Sequence, residues 1–90
     1  MKFEWDSRKA AANLTKHRVA FEEAATAIRD DFAATVQDPD HSLRESRLIT
    51  FGTSSAGRLL MVSHTERGDI VRIISARLAT RTERKIYDEG

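Results

Sequence analysis

The 90-residue chain has no cysteine, one proline, four glycines, one tryptophan and one tyrosine. Without cysteine there are no disulfides, no thiol nucleophile and no thiolate zinc site, so stability has to come from packing. The few glycines form no Gly-rich phosphate loop, and neither a nucleophile elbow nor a carboxylate pair is visible. No apolar run approaches the roughly 20 residues that span a bilayer. The opening Met1-Lys2-Phe3-Glu4-Trp5-Asp6 lacks the apolar stretch of a signal peptide, so a soluble cytoplasmic protein with no membrane association is expected. Repeats, linkers and low-complexity tracts are also missing. The length suits one small domain over residues 1–90, since independent domains rarely fall far below about 50 residues.

Charge of one sign is scarce as well: 15 Lys+Arg against 14 Asp+Glu leave a net +1. The distribution is less even. Residues 1–45 hold seven cations and nine anions, residues 46–90 eight cations and five anions. Eleven of the 15 cations are arginine, whose rigid fork suits phosphate and carboxylate and which stays protonated.

Phe3-Glu4-Trp5 alternates like a short strand, and Asp6 is placed to cap a helix over Ser7 to His17. Arg18 to Ala20 breaks it. A second helix over Phe21 to Arg29 puts Phe21, Ala24, Ala25 and Ile28 on one face, with Glu22 and Glu23 in its first turn. Phe32 to Gln37 reads as extended and Asp38-Pro39-Asp40 as a turn, and His41 to Glu45 is a polar loop. Segments Arg47 to Thr53, Arg58 to Thr65 and Ile70 to Arg77 form two successive antiparallel hairpins. Thr80-Arg81-Thr82-Glu83 has capping-box spacing and opens a last helix through about Tyr87. The expected class is α+β: two N-terminal helices packed on an antiparallel sheet of about four strands, with a short C-terminal helix.

If each hairpin closes symmetrically about its turn, Thr65 faces Ile70 and Thr53 faces Arg58. One face then carries Ile49, Phe51, Leu60, Val62, Val71 and Ile73 toward the helices. The other carries Thr50, Leu59, Met61, Ser63, Thr65, Arg72 and Ile74, with Arg72 across from Ser63. An arginine in the apolar run Ile70-Val71-Arg72-Ile73-Ile74 needs a partner, either an internal carboxylate or an external anion. Arg72, Arg77, Arg81, Arg84 and Lys85 follow one another along a strand and helix that one phosphate backbone would contact.

Three histidines are the neutral-pH acid/base candidates. His64 and Glu66 are two apart on a strand and share its core-facing side, where a structural histidine is the plainer role. His17 follows Lys16 at a helix end, where a cation is locally favourable. His41 sits beside Asp40 in a loop. No zinc-ligand spacing appears, and neither metal nor cofactor is expected. Trp5 is either a core plug or a surface for stacking and docking, and Tyr87 either anchors the last helix or contacts substrate.

These residues resemble the BrnT toxins of bacterial type II toxin-antitoxin systems, within the wider RelE-like group. The resemblance rests on Phe3-Glu4-Trp5-Asp6, Lys9-Ala10-Ala11-Ala12-Asn13-Leu14 with Lys16-His17, Val19, Phe21-Glu22-Glu23-Ala24 and Asp38-Pro39-Asp40-His41. It continues through Gly57-Arg58-Leu59-Leu60, His64-Thr65-Glu66-Arg67-Gly68-Asp69, Arg72-Ile73-Ile74-Ser75-Ala76-Arg77, Ala79-Thr80, Glu83-Arg84 and Tyr87. Arg18 and Ala20 stand where the family usually has Gly and Ser, which removes a cap from the turn between the helices. The resemblance implies a metal-independent endoribonuclease that arrests translation. Its partner would be a BrnA-type ribbon-helix-helix antitoxin, with operator DNA reached only through the antitoxin and a homodimer possible within the complex. By the same resemblance Arg72 and Arg77 would stabilise charge on the reacting phosphate, and Lys16, His17, His64 or Glu66 would move protons. Trp5, Arg58, Arg81, Arg84 and Tyr87 would face RNA or antitoxin. The rival function is a non-catalytic module acting as co-repressor within a DNA-binding complex.

Overall fold

The computed structural model describes residues 1–39 and 46–89. The polar loop expected over His41 to Glu45, with Asp40 beside it, lies outside the described residues. The elements are β1 (Lys2–Glu4), α1 (Ser7–His17), α2 (Phe21–Ile28), β2 (Ala34–Gln37), β3 (Arg47–Thr53), β4 (Leu59–Arg67), β5 (Ile70–Leu78) and α3 (Arg81–Glu89).

Local chemistry accounts for the helix ends. The Asp6 carboxylate accepts the backbone N–H groups of Arg8 and Lys9 at 2.8 and 3.2 Å and starts α1. Arg18 ends it in the left-handed region, φ 60°, and Ala20 starts α2 with no side-chain cap. The capping box of α3 is complete: Glu83 N–H donates to Thr80 Oγ1 at 3.1 Å, and Thr80 N–H donates to Glu83 Oε1 at 2.8 Å. No helix among the described residues is long and apolar enough to cross a membrane.

The sheet has five strands rather than about four, in the order β1-β5-β4-β3-β2. The short N-terminal strand joins as an edge, parallel to β5, and the other pairs are antiparallel. The two hairpins are as expected, but their register is not. Thr53 pairs with Leu59, so the connection holds five residues instead of four. A one-residue slip turns every side chain of β3 over. Thr50 therefore joins Val62 on the helix side, while Ile49 and Phe51 go to the opposite face with Ser63 and Met61. In the second hairpin only Gly68-Asp69 remain as the turn, with Gly68 at φ 55°, a left-handed conformation that favours glycine. Arg72 consequently lies opposite Thr65, not Ser63, and a bulge at Ser63/His64 shifts the ladder beyond it.

Helices α1 and α2 cover one face, where Val19, Phe21, Ala24, Ala27, Leu60, Val62, Ile73 and Ala76 form the buried core. Gly52 permits the closest approach there, because a Cβ at that position would collide with the backbone carbonyl of Ala27 in α2. Helix α3 packs on the other face beside β3. The part of that face nearer β1 is left open.

Candidate functional site

The register builds the open face. Glu4, Arg72, Thr65 and Arg47 are successive partners across β1, β5, β4 and β3, and so form one row on one side of the sheet. Lys2, Ile70 and Arg67 form the next. With strands about 4.8 Å apart, the four-residue row extends for roughly 14 Å. Above it lies a cleft of about 780 Å³ lined by four cations, Lys9, Arg47, Arg67 and Arg72. Two carboxylates, Glu4 and Glu66, two hydroxyls, Ser46 and Thr65, and an apolar patch of Ile70 and Ile74 complete it. Cations outnumber anions two to one, so the cleft favours an anionic ligand with some apolar surface.

Arg72 Nη1 donates to Glu4 Oε2 at 2.9 Å, and both side chains are 48% exposed. The partner is thus an internal carboxylate, on the edge strand, but the pair stays open to solvent. Glu66 is 44% exposed at the cleft, with His64 behind it at 1%. His64 Nε2 shares a 2.7 Å hydrogen bond with Thr50 Oγ1, which shares another of 2.7 Å with Thr35 Oγ1. His64 Nδ1 lies 3.8 Å from Glu66 Oε1, too far for a hydrogen bond, and has no hydrogen-bond partner among the described residues. Burial lowers the pKa of the ring, with Glu66 opposing the shift in part.

The other expected residues are distributed elsewhere. Arg77 donates from Nη1 and Nη2 to both oxygens of Glu83, at 2.8 and 2.9 Å, and ties α3 to β5. That contact holds the Glu83 carboxyl below its ordinary pKa. Arg58 makes a similar fork to Glu23, with Nε at 2.9 Å, and its Nη2 also donates to the carbonyl of Arg18. Tyr87 donates its hydroxyl to Asp30 at 2.7 Å and accepts from Thr53 Oγ1 at 3.2 Å, which is the anchoring role. Trp5 packs edge-on against Phe21, ring centroids 6.0 Å apart, on the core side. Lys16 and His17 occupy the last turn of α1 and do not line the cleft. Arg81 and Arg84 are exposed on α3 with no ion pair among the described residues.

Of the expected residues, then, Arg72 and Glu66 both line the cleft, Glu66 from the face of the sheet that carries His64, whereas Arg77 is several residues further along β5. Glu4, Lys9, Arg47 and Arg67 were not singled out from sequence. Their signal is positional: the β1–β5 and β3–β4 registers bring them together, and neither register is visible without the fold. Among the described residues no group of three or more His, Asp or Glu side chains is arranged to hold a metal ion.

A small α+β protein with an arginine-lined cleft on an open sheet face belongs with proteins that handle polyanions. The family model of the ribonuclease toxin BrnT of type II toxin-antitoxin systems matches residues 5–83, and the chain belongs to that family. The fold is similar to the crystal structure of the Brucella abortus ribonuclease toxin BrnT, with a TM-score of 0.69 and 23% sequence identity. That superposition covers 90% of this chain and 99% of the Brucella one. No curated protein matches the chain significantly.

Proposed function

We propose that this toxin cleaves RNA in the cleft between Glu4, Arg72, Glu66 and Arg47, and thereby halts translation in the cytoplasm. The observation that supports this is the cation-rich lining of one cleft, where Lys9, Arg47, Arg67 and Arg72 accompany two accessible carboxylates, Glu4 and Glu66. In a metal-independent reaction of the RelE-like kind, a ribose 2′-OH attacks the adjacent phosphorus. Glu66 takes the hydroxyl proton, the bond to the 5′ oxygen breaks, and that oxygen leaves with a proton from water, giving a 2′,3′-cyclic phosphate. Arg72 and Arg47 stabilise the charge that grows on the phosphoryl oxygens. His64 backs Glu66 and does not touch substrate. Arg77 acts by holding α3. A toxin of this class works with an antitoxin, and a BrnA-type ribbon-helix-helix protein whose acidic segment covers the cleft suits the charge of the lining.

Expression of the chain alone is expected to arrest growth and shorten transcripts. The purified protein is expected to cleave a labelled single-stranded RNA, with Glu66→Gln and Arg72→Ala each lowering the rate about 100-fold or more. Intact RNA in cells arrested by the wild type would sink the proposal. Operator binding by the toxin-antitoxin complex that depends on Arg72, with no RNA cut, would favour the co-repressor function instead.

A further inference from the structure

Among the described residues, the three ion-paired arginines of the second half of the chain are not held alike. Arg58 and Arg77 each fork onto a carboxylate whose side chain is only 16% or 20% exposed. Arg72 makes one bond, from one nitrogen, to a Glu4 that is half exposed. Ion pairs so open to water hold their partners weakly. Nor does β1 need this one. The strand is fixed by its backbone ladder to β5, by Lys2 N–H donating to the Asp69 carbonyl at 2.7 Å, and by Phe3 packed against the core. Glu4 is nonetheless the acidic end of a row whose other charged members, Arg72 and Arg47, are cations, and it occupies a guanidinium nitrogen that faces the cleft.

On the basis of the RNA site proposed above, we propose that Glu4 is an internal stand-in for a substrate phosphate: it holds Arg72 in the free protein and yields it when RNA enters. A phosphodiester oxygen makes the same charge-assisted bond to Nη1 that the Glu4 carboxylate makes. Displacement is favourable only when neighbouring phosphates engage Lys9, Arg47 and Arg67 at the same time. Glu4 therefore biases the cleft toward polyanionic strands and against single small anions. It is a positioning residue that sets the threshold for binding.

The test is a double-mutant cycle on the full-length protein. Wild type, Glu4→Gln, Arg72→Gln and the double variant are titrated with a fluorescein-labelled single-stranded RNA carrying 2′-O-methyl riboses, which bind but cannot react. Glu4→Gln is nearly isosteric at an exposed site and should fold normally. It is expected to bind about three- to fivefold more tightly than wild type, the scale of an exposed ion pair. In the Arg72→Gln background the same change should have no effect. An equal gain in both backgrounds means that Glu4 contributes only bulk charge, and it overturns the proposal, as does the absence of any gain. If Arg72→Gln binds as well as wild type, or no protein binds, the RNA site itself fails and the stand-in role fails with it.

Discussion

The side-chain amide of Asn13 in α1 serves as a backbone partner for Ala76 in β5. Its Nδ2 donates to the Ala76 carbonyl at 2.8 Å and to the Val19 carbonyl at 2.9 Å, and its Oδ1 accepts from Ala76 N–H at 3.1 Å. One buried side chain thus fastens the first helix, the turn after it and the strand that carries Arg72 and Arg77. Asn13→Leu leaves three buried backbone groups without partners and is expected to cost about 2–4 kcal/mol. Urea unfolding measures this, and a loss below about 1 kcal/mol would show that water replaces the amide.

Arg18 carries the other local defect. A non-glycine residue at φ 60° is strained by its Cβ, and Ala20 leaves the first turn of α2 uncapped. Arg18→Gly is expected to stabilise the fold by about 0.5–1 kcal/mol and Ala20→Ser by a similar amount. Arg58 touches residue 18 through its backbone carbonyl, so that bond survives both changes. Thermal unfolding of the single and double variants reads the gains.

His64 sets a pH dependence. Its folded pKa lies below the ordinary 6.5 because the ring is buried, so the unfolded chain takes up a proton that the folded chain refuses. Stability is therefore complete above pH 6.5 and falls as the pH drops through the interval down to the folded pKa, by at most about 1.4 kcal/mol per pH unit. Glu66, the charged group facing the ring, opposes the fall. Urea midpoints at pH 7.5 and 5.5 should differ for the wild type and converge in His64→Gln. The lowered carboxyl groups of Glu23, Asp30 and Glu83 act in a more acidic range and leave this window clear.

Arg77 and Arg72 offer a contrast in function. Arg77 is committed to Glu83, so Arg77→Ala should lower stability by about 1–2 kcal/mol through loss of the α3 tether while RNA affinity changes little. Arg72→Ala should do the reverse. A large loss of RNA binding in Arg77→Ala would move the site toward α3.

Features coded by neighbours in sequence were legible: the Asp6 cap, the Thr80–Glu83 box, the Gly68 turn and the apolar stripe of α2. So was the presence of Arg72 on the face away from the helices. The pairing offset between β3 and β4 was not, because it depends on whether the connecting turn holds four residues or five, and Ser54 to Arg58 suit either. The bulge at Ser63/His64 has no local signature, yet it decides which residues of β5 share a face with Met61 and Phe51. The cleft was half legible for the same reason. Its arginines are plain in the sequence, but Glu4 and Arg47 come beside Arg72 only through the strand pairings.

Those pairings differ in how much chain they enclose. The β3–β4 and β4–β5 hairpins close over short turns, whereas β1 finds β5 across most of the molecule, with Arg72 lying 68 positions after Glu4. Closing so long a loop carries a larger entropic penalty than zipping a hairpin, so the edge strand docks after the central sheet exists. The row of Glu4, Arg72, Thr65 and Arg47 is therefore among the last parts to assemble. During synthesis the early helices are complete long before the ribosome has made their sheet, and the chain cannot present this surface until its second half has emerged and folded.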